Sequence, residues 1–331
     1  MPQSDWVQQV KKRTLRSFER RFRRKVRVMT DWDVICYGTV VIDYVWQMAE
    51  LPKPDGWMPI SGEKRMIGGE ASNTAIALSK WGASVALMGS ALGTDPEGEF
   101  LRKSFAEEAP ALDLSLQPFS DEVKTPFCAC LATDDGLRTM FGSGDTALFP
   151  PVLTPEIASR ARYVTADPNK WELSVEALFT ASKAGAKVVA MDFMRSEEVC
   201  REAHISITSH AEDEKGSYAG FARKMRDRYG KSFIVTAGAE GSYVAEEGKS
   251  GDAVHIAVLK LDKVVDSTGA GDIYRAGILF GEIQGWNLIK SARFASIAAA
   301  HNCLALGGWG GVAPLRQLLE RLDQDPDSIG Q

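Results

Sequence analysis

What this 331-residue sequence lacks narrows its class first. No apolar run approaches the roughly 18 residues that a membrane-spanning helix needs. The five cysteines, Cys36, Cys128, Cys130, Cys200 and Cys303, are an odd number without metal-ligand spacing, so no zinc site is expected. Cys128 and Cys130 read as packing residues on one face of a strand. No secretory leader pattern is present, which makes a reducing cytoplasm the expected compartment. A Gly-x-x-x-x-Gly-Lys-Ser/Thr loop is missing, so a P-loop kinase is not indicated, and no Gly-x-Gly-x-x-Gly follows the first strand, which argues against a dinucleotide enzyme. Neither an internal repeat nor a low-complexity tract occurs, apart from a polar tail after Asp323.

What is present suits one large soluble domain, or one domain with an appendage. Apolar residues make up 44% and charged residues 25% of the chain. The net charge of −5 is uneven: residues 1–30 carry +8 and the remainder −13. Within that basic segment Leu15, Phe18, Phe22 and Val26 recur at helical spacing. A basic amphipathic helix would suit nucleic acid or an anionic membrane surface. The alternative is a dispensable extension, with translation beginning at Met29. The expected division is therefore a basic extension at 1–30, a main domain at 31–325 and a polar tail at 326–331.

From Asp33 onward strand and helix patterns alternate. Strands are expected at Val34 to Ile42, Ser84 to Gly89, Leu112 to Leu116, Tyr163 to Ala166, Val188 to Asp192, Ile205 to Ser209 and Phe233 to Thr236. Helical segments such as Thr74–Trp81, Gly98–Glu107, Leu173–Ala184 and Tyr218–Tyr229 lie between most of them. Such alternation predicts an α/β fold, a doubly wound and mostly parallel sheet with helices on both faces. Ligands of such sheets gather outside the carboxyl ends of the strands. One region breaks the pattern: Thr125 to Ala132 and Leu137 to Phe141 flank Thr133-Asp134-Asp135-Gly136 and read as a hairpin. With Tyr44 to Leu51 and Gly62 to Met66 they predict a small separate sheet, drawn from about 44–66 and 124–142.

The most informative stretch is Val265-Asp266-Ser267-Thr268-Gly269-Ala270-Gly271-Asp272. It follows a run from Ile256 to Val265 that reads as a strand or an extended lead-in, and opens the helical pattern Ile273, Tyr274, Ile278, Leu279, Phe280. Unpaired amides and the positive end of the helix dipole make such a turn a place for phosphate. Gly269 and Gly271 would let a phosphoryl group approach the backbone. A carboxylate beside bound phosphate is a poor ligand, so Asp272 reads as a base for an attacking hydroxyl; otherwise it only caps the helix.

This stretch resembles the C-terminal signature of the ribokinase-like, or PfkB, carbohydrate kinases. Gly68-Gly69-Glu70-Ala71-Ser72-Asn73, with Ala75, Leu78 and Gly82, resembles the N-terminal signature. Gly93-Thr94-Asp95 with Gly98 and Leu101 matches a third family pattern. The resemblance implies an ATP-dependent sugar kinase acting on a primary hydroxyl, with Asp272 as base and Gly269, Ala270 and Gly271 as anion hole. It places Asp43, taken as the end of the first strand, with Gly68, Gly69 and Asn73 at the sugar; the alternative for Asn73 is a cap for its helix. Glu70 stands where ribokinase carries Lys, which argues against ribose.

For the nucleotide, the resemblance implies Thr236, Gly238 and Gly241. Where many members have Asn-x-x-Glu, Ser209 and Glu212 fit the spacing better than His210 and Asp213. Mg²⁺ is expected with ATP near Glu212, and in some members a monovalent cation (K⁺) near Asp266, Thr268 and the Gly307-to-Gly311 loop. Asp192-x-x-Arg195 leaves Arg195 either gripping phosphate or forming a surface salt bridge. The small sheet is expected to act as a lid that closes over the sugar and mediates a homodimer. A nucleoside kinase, or a catalytically silent scaffold on the same fold, remains an alternative.

Overall fold

Six parallel strands are buried at nearly every position, because both of their faces are covered. The computed structural model describes residues 30–324 apart from 135–136, 145–149, 212 and 214–215. The basic extension, the polar tail, the tip of the hairpin turn and Glu212 thus lie outside the described residues.

In chain order, β1 (Trp32–Gly38), β2 (Val41–Met48) and β3 (Gly62–Gly68) lead into α1 (Glu70–Lys80) and β4 (Val85–Gly89). Next come β5 (Leu92–Gly93), α2 (Pro96–Glu108), β6 (Phe119–Ser120), β7 (Phe127–Thr133) and β8 (Arg138–Gly142). Short α3 (Pro155–Ala158) precedes β9 (Ala161–Ala166), α4 (Trp171–Lys183), β10 (Lys187–Met191), α5 (Glu197–Glu202) and β11 (Ile205–Ser209). The chain continues with α6 (Tyr218–Tyr229), β12 (Ser232–Thr236), β13 (Ser242–Ala245) and β14 (Val254–Ile256). It closes with α7 (Ala270–Gln284), α8 (Leu288–Asn302) and α9 (Leu315–Asp323).

The main sheet has the order β14-β13-β12-β11-β10-β9-β1-β4 and is parallel except at β12–β13 and β13–β14. Strand alternation feeds two layers. Val34 and Cys36 of β1 join the layer built with α1, α7 and α8, while Ile35 and Tyr37 join the layer built with α4. Trp81, Phe280 and Phe294 meet with centroids 5.2–5.8 Å apart and tie α1, α7 and α8 together. Such pairs add about 0.5–1.5 kcal/mol each beyond their buried area. Small residues bring α7 and α8 close: a Cβ on Gly277 would stand 2.4 Å from Cα of Ala295.

The small sheet has the order β3-β2-β7-β8. Its inner face, with Val45, Met66, Cys130 and Ala132, is buried. The third signature is structural here. Asp95 caps α2 by accepting from the amide of Gly98 at 2.9 Å, and accepts from Thr125 Oγ1 at 2.6 Å.

Three expectations are corrected. The strand read as Val34 to Ile42 is two strands, because the chain leaves the main sheet at Gly38, where φ is +138°. There Asp167 Oδ2 accepts from the amide of Thr39 at 2.6 Å and holds the exit. Asp43 consequently lies inside β2 of the small sheet, not at the end of the first strand. Leu112 to Leu116 forms no strand and contributes one bridge, Asp113 to Ala86. The lead-in from Ile256 to Val265 is strand only through Ile256.

Candidate active site

The carboxyl ends of β10, β11 and β12, the start of α7 and the inner face of the small sheet enclose a cleft of about 730 Å³. Asp272 lies at its floor, in the first turn of α7. It does not cap that helix. Its Oδ2 accepts from Asn73 Nδ2 at 2.9 Å and its Oδ1 from Arg275 Nη2 at 3.2 Å. Asn73 likewise makes no cap for α1; its amide crosses to Asp272 and its Oδ1 is buried without a partner. Burial pushes the Asp272 carboxyl up to about 6, against the pull of Arg275 and then of Asn73.

Arg275 is the residue that sequence reading missed. It is fully buried and gives Nη1 to the Ala166 carbonyl at 2.9 Å, Nη2 to the Glu70 carbonyl at 3.0 Å, and Nε to Thr74 Oγ1 at 3.1 Å. A signal existed: an arginine on an apolar helix, three residues after an aspartate, shares its face and needs a buried partner.

The two glycines before Asp272 differ in role. Gly269 has φ +72°, and a Cβ there would stand 2.0 Å from the Gly308 carbonyl oxygen. Gly271 has no positive φ, and its Cβ would meet only the Met191 methyl, at 2.8 Å. Asp266 braces this loop. Its Oδ1 accepts from the Thr268 amide at 2.8 Å and hydroxyl at 2.6 Å, and its Oδ2 from the Gly307 amide at 2.8 Å. Asn302 Nδ2 joins the carbonyls of Thr268 and Gly308, both at 3.1 Å. Asp266 thus has both oxygens committed to the loop, and it does not line the cleft, whereas Thr268 does. As a cation ligand Asp266 fits poorly.

On the opposite wall Asp43 faces the cleft, 6% exposed and without a hydrogen-bond partner among the described residues. Burial, then the charges of Asp272 and Asp266, raise its carboxyl to about 7. Gly68 does not line the cleft; it makes room for that carboxylate, since a Cβ would stand 2.0 Å from Asp43 Cγ. Gly69, with φ +102°, packs on the Thr39 carbonyl and does line the cleft. Cys128 also faces the cleft, so it is more than packing. Arg138 reaches from β8 to Ser267 Oγ at 3.3 Å, setting a cation beside the turn into α7.

Ser209, Thr236, Gly238 and Gly241 line the other half of the cleft, joined by Asp192 and His210. Asp192 and His210 hold φ of +63° and +50°, strained for non-glycine residues. Asp192 Oδ1 accepts from the Ser209 amide at 2.9 Å. Arg195 lies over the Trp171 ring at 4.8 Å and is no part of the cleft. Among the described residues no group of three or more His, Cys, Asp or Glu is placed to hold a metal, and no helix is long and apolar enough to cross a membrane.

Comparison with known proteins agrees with this geometry. The chain is 27% identical over 309 residues to a nucleoside kinase of Methanocaldococcus jannaschii, covering 88% of this chain and 97% of the relative. It is 26% identical over 304 residues to the ketohexokinase of Mus musculus, covering 86% and 100%. A putative ribokinase from Agrobacterium tumefaciens has the same fold, with a TM-score of 0.78 at 22% identity over 88% of this chain and 98% of that one. The Arabidopsis thaliana ribokinase solved with ribose and ATP superposes with a TM-score of 0.72 at 19% identity, over the same shares of the two chains. With the pfkB family carbohydrate kinase profile matching residues 32–310, through all three signatures and the start of α7, the chain belongs to the pfkB family of carbohydrate kinases.

Proposed function

We propose that the protein transfers the γ-phosphoryl group of ATP to a primary hydroxyl of a sugar. The observation that carries this reading is the convergence of Asp272, Asn73 and the amides opening α7 at one end of the cleft. Asp272 takes the hydroxyl proton as the oxygen attacks phosphorus, and the amides of Gly269, Ala270 and Gly271 receive the charge on the transferring group. Asp43 and Asn73 orient the sugar hydroxyls. The nucleotide lies toward Ser209, Thr236, Gly238 and Gly241. Oxygen donors there, Asp192, Ser209 and Thr236, suit a hard divalent ion, and Mg²⁺ carried with ATP would neutralise phosphate charge.

A nucleoside as acceptor is the second reading. It is favoured by Phe127, Met140 and Phe141 at the cleft and by relatives named nucleoside kinase. Tyr44 and Trp46 stack with centroids 6.1 Å apart, with Phe127 beside them, on the outer face of the small sheet. That surface suits the homodimer expected of the lid, which sedimentation would report.

The test is ADP release across sugars and nucleosides with Mg²⁺. On the best acceptor, Asp272→Asn should lower kcat by roughly 10²–10⁴-fold with little change in Tm. A wild-type kcat in that variant would overturn the proposed base.

A further inference from the structure

Three carboxylates face the acceptor half of the cleft: Asp43, Glu70 and Asp272. Among the described residues only Asp272 has a cation in contact, and that cation, Arg275, lies behind it and does not line the cleft. Arg138 is on the phosphate side, at Ser267. Asp43 is more than nine-tenths buried and has no hydrogen-bond partner among the described residues. Glu70 turns toward the cleft and accepts from Asn169 Nδ2 at 3.1 Å, beside Thr39. A carboxylate as buried as Asp43 is ordinarily paired, whereas Glu70 is half-buried and open to the cleft. Among the described residues these acids form no metal-binding group, so the balancing charge is left to the acceptor.

We infer that the acceptor is a polyol bearing an ammonium group, an amino sugar or aminocyclitol, whose charge is read by Glu70. This rests on the sugar-kinase reading and narrows it. A neutral polyol would satisfy the lone pairs of Asp43 and Glu70 but not their charge, and an anionic acceptor would add to it in a cleft that also receives polyphosphate. A first-turn acid also suits the dipole of α1, but the dipole does not require a side chain facing the cleft on Asn169. Burial, then the charges of Asp272 and Asp167, push Glu70 up to about 8 against the pull of Arg275 and of the Asn169 hydrogen bond.

The experiment measures kcat/KM by ADP release on matched acceptors that differ only by hydroxyl or amine at one ring position, with the N-acetylated form and the aldonate as further arms. A charge-assisted hydrogen bond is worth about 1.5–3 kcal/mol, so the best amine should exceed its hydroxyl parent by about tenfold or more at pH 7. N-acetylation should abolish the advantage. Glu70→Gln keeps an acceptor for Asn169 and should bring the amine-to-hydroxyl ratio toward one, while Glu70→Asp should retain a preference. If Glu70→Gln fails to fold, calorimetry of the wild type in two buffers decides instead. Amine binding should release protons as Glu70 ionises, and the hydroxyl parent should not. A preferred neutral, anionic or nucleoside acceptor, or an unchanged ratio in Glu70→Gln, overturns the inference and leaves the kinase reading intact. No ADP release with any acceptor overturns both.

Discussion

A general base must be ionised to work, yet Asp272 is buried where charge is disfavoured. Arg275 supplies the compensation, and its effect is open to a kinetic test. With the carboxyl near 6, kcat should fall as pH drops through that value and level off above it. Replacing Arg275 by Met removes a contacting opposite charge, which ordinarily shifts a carboxyl by about 1–3 units. The acid limb of kcat should therefore move upward by about a unit or more. A purely structural arginine would lower kcat by the same factor at every pH, and Arg275→Lys should keep much of the wild-type limb. Asp272, Asn73 and Asp43 could be picked from the sequence because each sits in or beside a spaced motif. The three-residue spacing of Arg275 from Asp272 hinted at the pair, but nothing local says which carbonyls would surround the arginine: Ala166 and Glu70 are distant in sequence and adjacent only in the folded chain.

At the scale of the element, the start of α7 is held by the 307–311 loop rather than by a capping side chain. The sequence motif treats Gly269 and Gly271 alike, as openings for phosphate. Their surroundings separate them. Alanine at 269 must adopt positive φ and meet the Gly308 backbone, which cannot swing away; strain of this kind costs about 1–3 kcal/mol. Alanine at 271 meets a flexible methionine end. Gly269→Ala should therefore lower Tm by several degrees, at roughly 2–4 °C per kcal/mol, and reduce turnover with it. Gly271→Ala should reduce kcat with a much smaller change in Tm. Equal losses of Tm in the two variants, by calorimetry, would contradict this division. The same limit explains Asp43: Gly38 is the one local hint within Val34 to Ile42 that the chain changes sheets, because what holds the exit is Asp167, just past the end of β9, accepting from the Thr39 amide.

For the molecule as a whole, the parallel sheet was legible because its strands are buried on both faces, and the small sheet because an Asp-Gly turn separates alternating runs. How the two pack against each other was not, and that packing buries Asp43 and half-buries Glu70. Asp43 near 7 and Glu70 near 8 lie well above their unfolded values, so between about pH 4 and 8 the native state holds more protons than the unfolded chain. Stability must then fall as pH rises through that range. The acids held low, Asp95, Asp113, Glu202 and Glu282, act with the opposite sign, but only while the unfolded chain still titrates its carboxyls, near and below pH 4.5. His301, lowered mainly by burial, also opposes the trend, below about 6.5. From pH 6.5 to 8 the two cleft acids lead, joined with the same sign by Asp272 at the lower edge and by the raised cysteines as unfolded thiols begin to ionise at the upper edge. The ligand-free protein should lose Tm across this window, and Asp43→Asn with Glu70→Gln together should flatten the loss while raising Tm at pH 8. Differential scanning calorimetry at fixed ionic strength reads both slopes. A wild-type Tm that holds steady or climbs from pH 6.5 to 8 would mean that these carboxyls are ionised and compensated in the folded protein.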